Sequence, residues 1–312
     1  MIQVHNLTKY YNDFCAVDSI SLDINKGEIL GLLGPNGAGK TTTLRMLTGF
    51  FKPSSGDITV NDLSILSDSL KIKKLMGYLP ESAPLYHNML VFDYLDYIAK
   101  IRNFDKEKRI QRLKELSDMC GLATIMHKSV HELSKGLKQR VGLAHAMMTD
   151  PEILILDEPT SGLDPNQIAD IRSIIKTIGK EKTIIFSTHI LSEAEATCDR
   201  IVIINKGKIV ADDSTQSLKD KERQGACIRL SLSGAEPEKA EKLLKEIAMD
   251  VIIEKVDSNG PESLSFEIKT PDNVDLRKEI YLKIKETDWV ITEFFMESKT
   301  LEKIFRELTK EN

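Results

Sequence analysis

The segment from Gly34 to Thr42 constrains this chain more than any other part of its sequence. It reads Gly-Pro-Asn-Gly-Ala-Gly-Lys-Thr-Thr and satisfies the pattern G-x-x-x-x-G-K-[ST], the phosphate-binding P-loop. The glycines allow the backbone to bend so that successive N–H groups face one anion. Lys40 can then reach the β- and γ-phosphates, and the Thr41 hydroxyl can bind Mg²⁺. The segment therefore predicts a site for a nucleoside triphosphate.

The residues on either side of this segment support the prediction. Residues 28–33 form a short apolar run of strand length, and residues 42–47 have a composition that suits a helix. A strand, a glycine-rich loop and a helix in this order form the context that a P-loop requires. A glycine-rich turn that matched the pattern by chance would lack these flanks.

Two adjacent carboxylates, Asp157 and Glu158, follow the apolar run 153–156. Ligands of open α/β sheets bind at the carboxyl ends of the strands. An acid at such an end, beside a P-loop, can hold Mg²⁺, usually through water, and Asp157 fits that role. Glu158 can orient and deprotonate an attacking water. An isolated Asp-Glu-Pro triplet also occurs in surface turns, but its combination with a P-loop favours the functional interpretation.

His189 follows another strand-like run, residues 183–187. Alone, a histidine here could simply cap the strand or pack under a helix. Together with the P-loop and the carboxylate pair, it is more consistent with a catalytic role, because a neutral imidazole can contact the γ-phosphate and sense its loss.

The order of apolar runs predicts an α/β fold over residues 1–220. Residues 1–33 alternate β-like runs with turns, whereas residues 86–148 resemble a helical insertion. Within it, Ile110, Leu113 and Leu116 have the spacing of one helix face. Further strand-like runs return downstream, with helical patterns between the first two, which indicates a mostly parallel, buried sheet. These runs are residues 152–156, 183–187 and 200–204.

A second, smaller α+β unit is predicted over residues 221–312. Its patterns follow the order βαββαβ, which is that of a ferredoxin-like split fold. The predicted strands are 226–232, 251–256, 263–269 and 289–295, and the predicted helices are 236–249 and 272–286. Asn259-Gly260 is a strong hairpin signal, and a last helix is predicted over residues 298–309.

The composition argues against several classes of protein. A hydrophobic fraction of 41% suits packed cores, and a net charge of −5 without a long basic block argues against nucleic acid as a partner. The 4 cysteines form no C-x-x-C pair, so neither zinc nor a disulfide framework is indicated. No run approaches the roughly 18 apolar residues of a membrane span, and the N-terminus lacks a signal-peptide pattern. We therefore expect a cytoplasmic protein that reaches a membrane only through a partner.

Residues 133–140 read Leu-Ser-Lys-Gly-Leu-Lys-Gln-Arg and precede the Asp157-Glu158 pair by about twenty residues. With the other motifs in this order, they resemble the signature motif of ATP-binding cassette (ABC) ATPases, which distinguishes that family from other P-loop NTPases. The resemblance covers residues 1–215. It implies an ABC-type P-loop NTPase fold with a RecA-like core, an antiparallel β subdomain and a helical subdomain. It also implies that the chain hydrolyses ATP with Mg²⁺.

The resemblance also implies roles for individual residues. Tyr11 matches the aromatic that stacks on adenine, with Tyr10 as the alternative. Ser134 and Gly136 would contact the γ-phosphate held by an opposite subunit, and residues 161–164 match the loop that crosses the dimer interface. The implied nucleotide-binding residues are Tyr11, Gly34, Pro35, Asn36, Gly37, Ala38, Gly39, Lys40, Thr41, Thr42, Ser134, Gly136 and Asp164. The implied catalytic residues are Lys40, Glu158 and His189, and the implied Mg²⁺ ligands are Thr41, Glu81 and Asp157.

Two positions depart from the family pattern. Lys135 replaces the first glycine of the usual Leu-Ser-Gly-Gly-Gln, and Leu137-Lys138 stands where glutamine is usual. Glu81 stands where the family usually has a glutamine that touches Mg²⁺ and the membrane part of the transporter. The extra carboxylate adds negative charge beside Asp157, which Mg²⁺ could neutralise.

These variants, together with residues 78–86 and 301–308, resemble the ATPases of ABC-2-type exporters, in their gliding-motility-associated and multidrug-type branches. This resemblance implies two copies that close head to tail around two ATP molecules. It also implies integral membrane permease subunits, which would dock around residues 81–88. Ala83, Pro84, Leu85 and Tyr86 would form an apolar surface patch there.

Two other functions were weighed against this one. A soluble ABC ATPase that acts on ribosomes or DNA would usually carry two cassettes or long coiled coils, and Lys40 and Ser134 are too close in sequence to enclose the latter. A regulatory module with little turnover is disfavoured by the presence of Glu158 and His189.

Overall fold

The chain folds into two compact units, one from Met1 to Thr215 and a second that begins at Gln216. The computed structural model describes residues 1–218, 227–247, 252–256, 263–269 and 275–297. Outside the described residues lie the predicted unit boundary at 220/221, the Asn259-Gly260 turn and the helix predicted over 298–309. No described helix combines the length and the apolar character needed to cross a bilayer.

A four-stranded antiparallel sheet forms one layer of the first unit, and its strand order is β2-β1-β4-β5. The strands are β1 (Ile2–Tyr11), β2 (Phe14–Ile24), β4 (Ser55–Val60) and β5 (Leu63–Ser64). In β1, Ile2 and Val4 are buried, whereas the residues that alternate with them are exposed. The buried face shares one hydrophobic core with the central sheet of this unit.

The central sheet has the strand order β10-β9-β3-β8-β7-β6. Its strands are β3 (Ile29–Leu33), β6 (Met76–Leu79), β7 (Ile153–Leu156), β8 (Thr183–Thr188), β9 (Arg200–Asn205) and β10 (Lys208–Ser214). Neighbouring strands are parallel, except that β10 runs antiparallel to β9. Because β8 lies between β3 and β7, the loops that follow these three strands meet at one edge of the sheet.

The helices of the first unit are α1 (Lys40–Leu47), α2 (Ser69–Leu75), α3 (Val91–Ile101), α4 (Lys106–Cys120), α5 (Lys135–Ala146), α6 (Pro165–Gly179) and α7 (Leu191–Thr197). Asp105 caps α4 by accepting the Lys108 N–H at 2.8 Å. Leu113 and Leu116 are buried, as their spacing predicted. Ile110 is 58% exposed, so its assignment to the same inward face was wrong.

The second unit contains β11 (Cys227–Ser233), α8 (Pro237–Ile247), β12 (Ile252–Val256), β13 (Ser263–Lys269), α9 (Arg277–Ile284) and β14 (Val290–Glu297). Its sheet has the order β12-β13-β11-β14, and all its pairs are antiparallel. Leu230 and Phe266 lie in its core, together with Leu244 of α8 and Ile280 of α9. The predicted ferredoxin-like βαββαβ order is thus confirmed.

We expect Gly31→Ala to destabilise the first unit. A Cβ atom at Gly31 would lie 2.5 Å from the Cys198 Sγ, in the middle of the central sheet. Overpacking of this kind typically lowers the free energy of unfolding by about 1–3 kcal/mol. Cys198→Ala should recover part of the loss in the double variant, since the Cβ of residue 198 is 3.5 Å away.

Denaturant unfolding of the two single variants and the double variant measures this coupling. If Gly31→Ala destabilised the Cys198→Ala protein as much as the parent protein, the steric explanation would be wrong.

Candidate active site

The loops that follow β3, β7 and β8 surround a cavity of about 400 Å³. The P-loop, Glu158, His189 and the exposed Glu81 all contribute to its lining. The lining residues are Tyr11, Phe14, Ala16, Asn36, Gly37, Ala38, Gly39, Lys40, Thr41, Thr42, Glu81, Glu158, Ser161 and His189. The structure therefore brings together most of the residues that the sequence predicted for the nucleotide.

The P-loop backbone requires glycine at Gly39. This residue has φ = 107°, and a Cβ atom there would lie 2.6 Å from the carbonyl oxygen of Ala16. Gly37 also has a positive φ, of 80°, but nothing lies near the position of its Cβ. Helix α1 begins directly after Gly39, so the free N–H groups of its first turn face the loop and favour an anion.

The Lys40 ammonium is buried and bound on three sides. It donates to the carbonyl oxygens of Gly34 at 2.7 Å and of Pro35 at 3.1 Å. It also lies 3.3 Å from Glu158 Oε1. This last contact is an ion pair without good hydrogen-bond geometry, since no described group donates a hydrogen bond to that oxygen. Lys40 therefore holds a positive charge inside the cavity and next to the proposed base.

Glu158 adopts a left-handed backbone conformation with φ = 47°. Residues other than glycine rarely adopt this conformation, and backbone strain of this kind is typical of functional sites. The Glu158 Oε2 lies 2.8 Å from His189 Nδ1. An ionised carboxylate only accepts hydrogen bonds, so the shared proton lies on the imidazole nitrogen. The contact orients the ring of His189 against Glu158.

Asp157 is held by two hydroxyl groups that donate to its Oδ1: Thr41 at 3.0 Å and Ser187 at 2.8 Å. The Ser187 hydroxyl also accepts the Glu158 N–H at 2.9 Å. Sequence reasoning missed Ser187, and its only signal was a polar residue at the end of an aliphatic run. Asp157 Oδ2 is buried and has no hydrogen-bond partner among the described residues.

The donors at this position fit Mg²⁺, which prefers oxygen ligands and keeps several waters. The free oxygen of Asp157 and the hydroxyl of Thr41 are adjacent and of the right type. Within the described ranges, no group of three or more Asp, Glu, His or Cys side chains is arranged to hold a metal by itself. Such an ion would therefore depend on phosphate oxygens and water for the rest of its coordination.

The aromatic end of the cavity has two candidates for stacking on a base. Tyr11 lines it and is 40% exposed, and its ring centroid lies 6.0 Å from that of Phe51. Phe14, which no sequence motif indicated, also lines the cavity and is 64% exposed. Tyr10, the alternative to Tyr11, is not among the lining residues.

Five of the predicted nucleotide ligands are not among the lining residues: Gly34, Pro35, Ser134, Gly136 and Asp164. Ser134 caps α5 and accepts the Leu137 N–H at 3.3 Å, and Asp164 caps α6 and accepts the Gln167 N–H at 2.9 Å. Gly136 is packed so closely that a Cβ atom there would lie 2.7 Å from the Gln167 side chain.

Helix α5 is nevertheless tied to the site through a residue that the sequence left unassigned. The buried amide of Gln139 donates to the carbonyl oxygen of Pro159 at 3.2 Å. Pro159 directly follows Glu158, so the contact joins the signature helix to the loop that carries the proposed base.

A family model described as "ABC transporter" matches residues 17–161. The bacitracin transport ATP-binding protein BcrA of Bacillus licheniformis is 39% identical over 233 residues, which cover 74% of this chain and 75% of BcrA. This chain belongs to the ABC transporter family of ATP-binding proteins.

Solved structures agree with this assignment. The ABC protein cbiO1 of Clostridium perfringens, described as part of the transporter complex cbiONQ, is 28% identical with a TM-score of 0.65. The match covers 70% of this chain and 90% of cbiO1. The cassette MJ0796, solved as a dimer with ADP and Pi, is 24% identical to this chain with a TM-score of 0.64. The match covers 69% of this chain and 99% of MJ0796, and it shows that the two share a fold. The predicted ABC fold is confirmed, and the protein is an ATP-binding transporter subunit that hydrolyses ATP.

We expect Gly39→Ala to abolish tight binding of ATP to this ABC ATPase, and Gly37→Ala to weaken it much less. Both positions have a positive φ, but only at Gly39 does the added methyl also meet a backbone oxygen. The strain shared by both variants costs about 1 kcal/mol, whereas the clash at Gly39 must displace the loop or β2. Titration with a fluorescent ATP analogue measures both affinities. Equal affinities in the two variants would contradict the proposed constraint.

Proposed function

We propose that this ATPase powers an ABC-2-type membrane exporter through ATP-dependent dimerisation. The observation that carries the proposal is the division of the predicted site. Lys40, Glu158 and His189 line one cavity, whereas Ser134 and Asp164 are not among its lining residues. A second copy, placed head to tail, would supply the missing residues to each cavity, and ATP would bridge the two copies.

The position of Ser134 supports this division. Ser134 and Lys135 are exposed at the first turn of α5, a helix of 12 residues whose N-terminus can bind an anion. Gly136 itself is buried against the Gln167 side chain, so Ser134 and Lys135 are the exposed residues of that turn. A γ-phosphate held by the Lys40 of one copy would therefore gain a second set of donors from the other copy. Its removal by hydrolysis would release the closed dimer.

The residues of the cavity suggest how hydrolysis proceeds. Lys40 stabilises negative charge that develops on the γ-phosphate, and Glu158 orients the attacking water and accepts its proton. His189 holds the Glu158 carboxylate from the other side at 2.8 Å. Thr41, Asp157 and Glu81 would hold Mg²⁺, which neutralises phosphate charge when it is bound.

A groove beside the cavity is the proposed docking surface for a permease. It has a volume of about 420 Å³ and a mostly apolar lining that includes Phe50, Pro80, Ala83 and Pro84. Leu85, predicted to join an apolar surface patch with Tyr86, is buried instead. We place the ATPase on the inner face of the membrane, held there by permease subunits.

Tyr78 links this groove to the active site. Its side chain lines the groove, while burial and the negative charge of Asp157 raise the pKa of its hydroxyl. Only the Tyr78 side chain would therefore separate a permease segment in the groove from Asp157, the proposed Mg²⁺ ligand. This proximity supports a role for the groove in coupling.

His145 lines this groove and pairs with the buried Tyr94, whose Oη lies 2.7 Å from His145 Nδ1. Burial, together with the charge of Arg102, lowers the pKa of His145 below its usual value of 6.5, so the ring is neutral at pH 7. Tyr86 is 53% exposed and packs edge-on against Tyr94 at 5.9 Å. The exposed Tyr86 thus packs on the buried Tyr94 of α3.

We expect Glu158→Gln to abolish most ATP hydrolysis without loss of ATP binding. An amide of the same shape cannot accept the proton of the attacking water, and loss of a general base costs about 10²–10⁴-fold in rate. With Mg²⁺ and ATP the variant should elute as a dimer in size-exclusion chromatography. Glu81→Gln is the matched control, and it should keep substantial ATPase activity.

A monomer at saturating Mg²⁺ and ATP, even in the presence of the permease, would contradict the dimerisation mechanism. A fall in the activity of Glu81→Gln as large as that of Glu158→Gln would show that Glu81 is indispensable to the chemistry.

We expect Tyr86→Asp to uncouple transport from hydrolysis. The charge would lie on the proposed permease surface, and Tyr86 is not among the residues that line the nucleotide cavity. Transport in reconstituted vesicles should therefore fall, while the ATPase activity of the isolated chain stays unchanged. Tyr86→Phe, which keeps the ring packed on Tyr94, should retain transport. Parallel loss of transport and isolated ATPase activity in Tyr86→Asp would refute the coupling role.

A further inference from the structure

Glu193 is a buried carboxylate that none of the sequence motifs includes. It lies in the first turn of α7 and is 7% exposed. Its Oε2 accepts hydrogen bonds from two buried hydroxyl groups, Thr160 Oγ1 at 2.6 Å and Thr188 Oγ1 at 3.0 Å. It does not line the nucleotide cavity.

The two threonines belong to the two segments that carry the proposed catalytic pair. Thr160 lies two residues after Glu158, and Thr188 directly precedes His189. One carboxylate oxygen therefore ties the loop after β7 to the end of β8. The Thr188 hydroxyl also accepts the Ile190 N–H at 3.0 Å, which fixes the backbone on the other side of His189.

A second bridge joins the same two segments through Ser187. Ser187 accepts the Glu158 N–H and donates to Asp157. The contact between Glu158 and His189 is thus enclosed by two hydroxyl-mediated bridges, one centred on Ser187 and one on Glu193. Between them, Glu158 adopts its left-handed conformation, which would relax if the loop were free to move.

Stability alone does not account for Glu193. Its Oε1 is buried and has no hydrogen-bond partner within the part of the chain that the structure describes. A buried carboxylate with one free oxygen destabilises a fold relative to a well-packed apolar side chain. Such groups in native structures call for another explanation, and a role in the reaction is one of the known ones.

We propose that Glu193 is a positioning residue, which holds Glu158 and His189 in register for hydrolysis without touching the nucleotide. This inference rests on the proposed roles of those two residues. Its physical basis is that a displacement of about 1 Å in a catalytic group can cost about 10²-fold in rate, while substrate binding by other residues is unaffected. The P-loop and the aromatic end of the cavity would determine the affinity for the nucleotide.

The test removes one hydroxyl of the Glu193 bridge. Thr160→Val keeps the shape of the side chain and deletes the donor to Glu193. We expect kcat for ATP to fall about tenfold or more, with KM and the affinity for a fluorescent ATP analogue within about twofold of the parent protein. Thr160→Ser restores the hydroxyl and should restore kcat. If Thr160 served only the fold, kcat would not fall separately from nucleotide affinity, and Thr160→Ser would not restore kcat.

Glu193→Met provides the second variant, because it has a similar volume and removes the acceptor. We expect its kcat to fall as in Thr160→Val. The kcat of the double variant should be no lower than that of the slower single variant, since both changes act through one bridge. Wild-type kcat in folded Thr160→Val, a loss shared equally by kcat and nucleotide affinity, or fully additive losses would each overturn the inference.

Glu158→Gln, measured in parallel, separates this inference from the proposed function. If Glu158→Gln loses turnover while Thr160→Val and Glu193→Met keep it, the role of Glu158 stands and the positioning role of Glu193 fails. If Glu158→Gln turns over at the wild-type rate, the proposed mechanism fails, and the positioning inference fails with it.

Discussion

Two hydroxyl groups, from Thr41 and Ser187, hold the Asp157 carboxylate, and the geometry of the site depends on this contact. It joins the first turn of α1 to the ends of β7 and β8. The sheet order makes it possible, because β8 lies between β3 and β7. The Ser187 hydroxyl also accepts the Glu158 N–H, so it fixes the backbone position of the proposed base as well.

The positions of the chemical groups could be predicted from sequence because each follows a run of apolar residues. The P-loop, the Asp157-Glu158 pair and His189 all come directly after strands, and parallel strands present such residues at one edge. Their partners could not be predicted in this way. Ser187, Glu193 and Gln139 make contacts between segments far apart in sequence, and the one local signal was the position of Ser187 at the end of an apolar run.

Burial was predictable only where periodicity determines which neighbours cover a side chain. Leu113 and Leu116 are buried, but Ile110 on the same helix is exposed, because residues six apart lie about 120° from each other around a helix axis and Ile110 falls outside the buried face. Leu85 is buried, since the loop after β6 turns it inward. Burial in the second unit was easier to predict, because alternating strands and amphipathic helices specify the faces of a single antiparallel sheet.

The close packing of Cys198 against Gly31 has a consequence for how the core can be observed. The thiol is 6% exposed, and burial raises its pKa, so it is poorly nucleophilic in the native state. Alkylating reagents would reach it only when α7 and β9 move away from β3. The rate at which this sulfur is labelled therefore reports the free energy of opening in the part of the sheet that leads into the P-loop.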